Sequence, residues 1–97
     1  MSSYFIALID IHDHERYGQY LAGFDEVFNQ FKGEVIAVED NPTVLEGTWP
    51  AGRIVIIKFP NDRELRKWYD SKEYQSLAIH RKEASAASIA IITGRDD

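Results

Sequence analysis

The sequence contains no cysteine, which excludes a disulfide framework and thiolate chemistry. It also lacks a basic excess: 11 Lys and Arg stand against 16 Asp and Glu, for a net charge of -5. Binding to phosphate backbones relies on Lys and Arg concentrated on one face, so nucleic acid is not an expected partner. The basic clusters that do occur, Arg63/Arg66/Lys67 and Arg81/Lys82, are interleaved with acidic residues and read as solvated helix faces. No apolar run approaches the ~20 residues of a membrane-spanning helix. The N-terminal one, Tyr4 to Ile9, has neither the basic flank nor the small-residue cleavage site of a secretory signal. Together these absences predict a cytoplasmic protein with no membrane partner. There is no glycine-rich phosphate loop and no flavin or nicotinamide fingerprint, so no cofactor is expected.

What is present is the make-up of one globular domain spanning residues 1–97, with 44% hydrophobic and 28% charged residues. Tyr4 to Ile11 reads as a strand, β-branched and aromatic on both faces. Asp13 is placed to cap a helix in which Tyr17, Tyr20, Leu21, Phe24, Val27, Phe28 and Phe31 recur every three or four residues, with Lys32 and Gly33 as its C-terminal signals. Glu34 to Glu39 is a second strand, stopped by Asp40-Asn41-Pro42, and Thr43 to Trp49 is a short strand or an irregular extended arm. A turn at Pro50-Ala51-Gly52 leads to Arg53–Phe59, where four consecutive β-branched residues dictate a strand. Asn61 caps a helix carrying Leu65, Trp68 and Tyr69, and Ser71 starts a second short helix through Tyr74, Leu77 and Ala78 towards Arg81. Ser88 to Thr93 is the last strand, and Gly94 to Asp97 a polar tail.

This order predicts an α+β, ferredoxin-like split βαβ plan: a four-stranded antiparallel sheet with two main helices on one face. The central strands carry apolar residues on both faces, Ile54/Ile56 against Val55/Ile57/Phe59 and Ile89/Ile91 against Ala90/Ile92. Helices on one side leave the other apolar face open, and such a patch, roughly several hundred Å², is unusual on a monomer. The expected solution is a two-fold homodimer with open faces packed together, a dimeric α+β barrel.

Three phrases, LEGTWP at Leu45–Pro50, VIIKFP at Val55–Pro60 and WYDSKEYQ at Trp68–Gln75, occur in order. In that combination the chain resembles the domain-of-unknown-function 1330 family of small bacterial proteins. The resemblance implies a dimeric α+β barrel and brings no agreed reaction. Where the family often carries an Arg-Gly-Gly type turn after the second strand, this chain has Val38-Glu39-Asp40-Asn41, which removes a basic contribution from that segment.

His12 and His14 flank Asp13 in the closest pair of imidazoles, yet a metal site needs a third ligand that the sequence does not identify, so no metal is expected. His12, at a strand end, and Glu46, a carboxylate in a mainly apolar arm, are the candidate catalytic acid–base residues. Glu46 has a competing structural role, an ion pair with Arg53 or Arg81. His80 reads as a surface residue. Trp49, Tyr69, Tyr74 and Arg81 are the candidate ligand-binding residues, with Tyr69, Tyr74 and Arg81 orienting a small organic molecule. Two functions follow. One is a homodimer that binds a small apolar or aromatic ligand in a cleft, with cofactor-free acid–base or oxidative chemistry. The other is a non-catalytic structural or interaction module in which Glu46, Tyr74 and Arg81 form a fastening network.

Overall fold

The structure, a computed structural model, describes residues 1–50 and 52–95. Seven elements follow in order: β1 (Ser3–Ile11), α1 (His14–Phe28), β2 (Glu34–Glu39), β3 (Arg53–Phe59), α2 (Asp62–Tyr69), α3 (Lys72–Ala84) and β4 (Ser85–Thr93). The strands form one antiparallel sheet in the order β2-β3-β1-β4. This is the ferredoxin-like plan that the strand and helix order implies.

Local chemistry starts each helix. The side chains of Asp13, Asn61 and Ser71 accept hydrogen bonds from the backbone N–H groups of Arg16, Glu64 and Tyr74 respectively, satisfying donors the first turn leaves free. Ser71 also donates to the Trp68 carbonyl at 2.7 Å, so one hydroxyl ends α2 and begins α3.

Three features refine the sequence expectation. First, α1 ends at Phe28 with Asn29 as its cap, before Lys32 and Gly33. The amides of Gln30 and Phe31 bond back only three residues, to Val27 and Phe28, which tightens the chain into a turn. Gly33 serves a different purpose: a Cβ there would lie 2.6 Å from the rings of Phe28 and Phe59. Second, of the two forms expected for Thr43 to Trp49 the short strand is absent and the irregular arm is present; Gly47 takes a left-handed turn (φ 76°) and Leu45 is 90% exposed. The turn expected at 50–52 includes Ala51, outside the described residues. Third, α3 runs to Ala84 and joins β4 at Ser85 without a loop. Its Ala84 carbonyl accepts from the amides of His12 and Asp13, so the end of α3 is tied to the end of β1. Of the polar tail, Gly94 is held by a 2.6 Å hydrogen bond to the Ser2 carbonyl, and residues 96–97 lie outside the described set.

The core lies between the helices and one sheet face. Phe5, Ala7, Ile9, Ile57 and Phe59 point inward, against Tyr17, Tyr20, Phe28, Leu65, Trp68 and Tyr74. Trp68 is at its centre, stacked on Phe59 with centroids 5.4 Å apart and edge-on to Phe5 at 5.1 Å. On the opposite face the register aligns Ile6 with Ile56 and Ala90, Leu8 with Ile54, and Tyr4 with Ile92. No helix of the described residues packs on this face; Pro50 of the arm borders it beside Leu8 and Ser88, and Ile6, Leu8, Ile54 and Ile56 are partly exposed.

Candidate functional site

The inward pleat and α1 do not close completely. Between them is a cavity of about 370 Å³, within the roughly 300–1,000 Å³ range of small-molecule sites. Its floor is Phe5, Ala7 and Ile9 of β1 with Val55 and Ile57 of β3, and Leu21 and Val35 border it as half-exposed residues. The walls are therefore mostly hydrocarbon.

Two arginines and two tyrosines break that pattern, with the exposed Asp25 at the border. Arg53 opens β3 opposite Ile9 in the register, so alternation turns it inward. Tyr17 and Tyr20 are one helical turn apart on α1, and Arg81 follows Tyr74 by two turns on α3, which puts each pair on one helix face. All four named groups, Arg53, Tyr17, Tyr20 and Arg81, line the cavity. The guanidinium carbons of Arg53 and Arg81 lie 5.7 Å and 5.9 Å from the ring centroids of Tyr17 and Tyr20, within cation–π range. Behind them the Tyr20 and Tyr74 hydroxyls hydrogen-bond each other at 2.8 Å.

Electrostatics separates the two arginines. Arg53 donates through Nη1 to the Asp40 carboxylate at 2.7 Å. Arg81 is 4% exposed, and among the described residues no carboxylate lies within ion-pairing distance of it. Its Nε and Nη2 atoms are buried without a hydrogen-bond partner, as is Nε of Arg53. Burial pushes the Tyr20 hydroxyl far above the ordinary tyrosine range, with Tyr74 reinforcing the effect. Burial also raises Tyr74, against the opposing pull of Arg81, and Tyr17, against that of Arg53. At neutral pH the three side chains are therefore uncharged hydroxyls facing fixed cations.

Of the residues singled out from the sequence, Tyr74 and Arg81 come together here, Arg81 on the cavity wall and Tyr74 fully buried behind it. Tyr69 packs half-buried against Phe5, Trp68 and Tyr74, off the cavity lining. Trp49 is 42% exposed on the arm, and Glu46 is exposed beside it. Arg53 takes Asp40 as its carboxylate, and Arg81 none, so the Glu46 ion pair is not formed. His12 is exposed at the end of β1, off the cavity lining. His80 accepts a 2.8 Å hydrogen bond from Arg16, whose Nη1 also pairs with Glu83, fastening α1 to α3. Among the described residues no three His, Asp or Glu side chains converge as metal ligands.

Sequence reasoning missed Arg53, Tyr17 and Tyr20. The signals were an arginine at an inward position of an apolar strand, and tyrosine rather than phenylalanine within a core stripe. The missing Arg-Gly-Gly turn is partly offset: next to Asp40, a cation reaches the cavity from β3.

Fold and site define a ferredoxin-like α+β protein with an arginine- and tyrosine-bearing cavity under its first helix. The chain belongs to the family described as Domain of unknown function (DUF1330), which matches residues 2–95. No curated protein matches it. Among solved structures, a protein of unknown function from Rhodopseudomonas palustris superposes with a TM-score of 0.79, over 99% of this chain and 84% of its own, at 14% identity. The cofactor-independent oxygenase SnoaB from Streptomyces nogalater has a TM-score of 0.67, covering 99% of this chain and 95% of its own, also at 14% identity. A dimeric ferredoxin-like protein of unknown function from Thermobifida fusca has a TM-score of 0.64 at 11% identity, covering 95% of this chain and 90% of its own. At such identities the likeness is one of fold.

Proposed function

We propose that this protein binds a small organic molecule in the cavity between α1 and the sheet, and does so as a homodimer closed through the open sheet face. The observation that carries the reading is Arg81: a desolvated guanidinium on the wall of a mainly apolar cavity, whose Nε and Nη2 have no hydrogen-bond partner in the protein. A purely structural core has no use for such a group, since burial of an unpaired charge is destabilising. The homodimer rests on the apolar face formed by Ile6, Leu8, Ile54, Ile56 and Ile92, and on the dimeric Thermobifida fusca relative of the same fold. Among the described residues no helix is long and apolar enough to cross a membrane.

A catalytic version assigns acid–base work to His12 or Glu46, with SnoaB as a precedent for cofactor-independent oxygenation in this fold. Both residues are exposed and off the cavity, whereas Arg81 and the tyrosines inside it orient and stabilise charge but supply no base at neutral pH. Binding is accordingly the primary function and catalysis the second reading.

Fluorescence of the neutral apolar dye N-phenyl-1-naphthylamine tests the site. The native protein is expected to bind it saturably, and Val55→Phe, which fills the cavity floor, to lose that binding while keeping its circular dichroism spectrum. Absence of saturable binding, or equal binding by a folded Val55→Phe protein, would refute the assignment.

A further inference from the structure

Resting on the cavity-binding reading, we propose that the natural ligand is an organic anion: a planar oxyanion, of which a carboxylate is the simplest, on an apolar body. Its charge is received by Arg81, with Arg53 beside it.

The two orphaned atoms of Arg81 are Nε and Nη2, both enclosed by protein, so a ligand reaches them by displacing the side chains that cover them; they are the pair whose N–H bonds point in parallel along one edge of the guanidinium. That edge is the fork by which arginine takes both oxygens of a carboxylate at once. A carboxylate gives each N–H its own oxygen and supplies the compensating charge, whereas a neutral carbonyl offers both N–H groups a single oxygen and no charge. The guanidinium cannot remove the problem by losing its proton, and its hydroxyl neighbours Tyr20 and Tyr74 carry no charge to balance it.

Arg53 points the same way. Asp40 occupies its Nη1 side, while Nε remains unpartnered. The cavity wall thus holds two guanidiniums, of which Asp40 neutralises one; Asp25, also on the lining, is exposed to water. One negative charge completes the balance. The hydrocarbon floor of Ala7, Val55 and Ile57 sets the rest of the ligand as apolar.

Calorimetric titration of 2-naphthoate and its neutral isostere 2-naphthamide tests the proposal. The native protein is expected to bind the carboxylate about tenfold or more tightly than the amide, the worth of a charge-assisted fork. Arg81→Met, which keeps the aliphatic stem, is expected to erase that preference, so that carboxylate and amide bind with equal affinity. Arg81→Lys, retaining the charge without the fork, should preserve part of it, and Arg53→Met should reduce it if Arg81→Met does not fold. Equal binding of both probes, abolished in Val55→Phe, would overturn the anion proposal while leaving the cavity reading intact. Binding of neither would overturn both. Thermal unfolding adds a second readout: without ligand, Arg81→Met should melt no lower than the native protein, and a marked fall would make Arg81 a structural fastening instead.

Discussion

Tyr74 meets Trp68 with ring centroids 4.3 Å apart and shares its hydroxyl with Tyr20 at 2.8 Å, all within the core. Replacing Tyr74 by Phe keeps the ring and strands the Tyr20 hydroxyl, and is expected to cost about 1–2 kcal/mol in urea denaturation. The buried hydroxyls also set an alkaline limit. Tyr17, Tyr20 and Tyr74 all have raised pKa values in the folded state. Below the unfolded tyrosine value of about 10 both states are protonated and stability is unaffected. Above it the unfolded chain loses protons that the fold retains, so stability falls as pH rises. Tyrosinate absorbance from these side chains should therefore appear together with loss of near-ultraviolet dichroism, and early ionisation in an intact fold would contradict it. Residue identity carried part of the site in advance. Tyr74 and Arg81 were recognisable because a hydroxyl and a guanidinium within a core-forming helix need partners. Tyr17 and Tyr20 were hidden within an aromatic stripe, and Arg53 within a strand start, because only the assembled sheet turns them into one cavity. Glu46 stands between apolar neighbours in sequence, Leu45 and Gly47, but all three are exposed.

Among the elements, the join between α2 and α3 depends on a single hydroxyl. Ser71→Ala removes both the bond to the Trp68 carbonyl and the cap on the Tyr74 amide, and should cost about 1–2 kcal/mol by thermal or urea unfolding. The close approach of Gly33 to Phe28 and Phe59 predicts that Gly33→Ala destabilises by about 1–3 kcal/mol through overpacking, a loss that Gly52→Ala, with open space around it, should not match. Strands and caps were legible because their signals are local: the run Ile54-Val55-Ile56-Ile57, Asn61 before its helix, Ser71 before the next. The end of α1 was not, since Lys32 and Gly33 are proper stop signals, while the earlier turn at Asn29 accompanies the packing of Phe28 on distant Phe59 and of Phe31 against the core. The arm from Thr43 to Trp49 has strand-like composition yet pairs with neither edge of the sheet, and composition alone leaves the strand and the irregular arm equally open.

For the whole molecule, the two-sided apolar sheet is the property with the widest consequences. A charge placed at its centre, Ile56→Lys, faces away from the core and should leave the fold intact while converting a dimer to monomer in sedimentation velocity at micromolar concentration; a native protein that sediments as a monomer would remove the dimer from the proposal. The same strand order affects how the chain is made. β1 is synthesised first yet lies in the middle of the sheet, and its hydrogen-bonding partners begin only at Arg53 and Ser85. At about 5–20 residues per second, a ribosome leaves Tyr4–Ile11 unpaired for several seconds. During that time it is a β-prone, largely uncharged segment of the kind that self-associates. The yield of native protein should therefore depend on chaperone supply and translation speed more than on the stability of the finished fold, and nascent chains halted before β3 should be the species that chaperones retain.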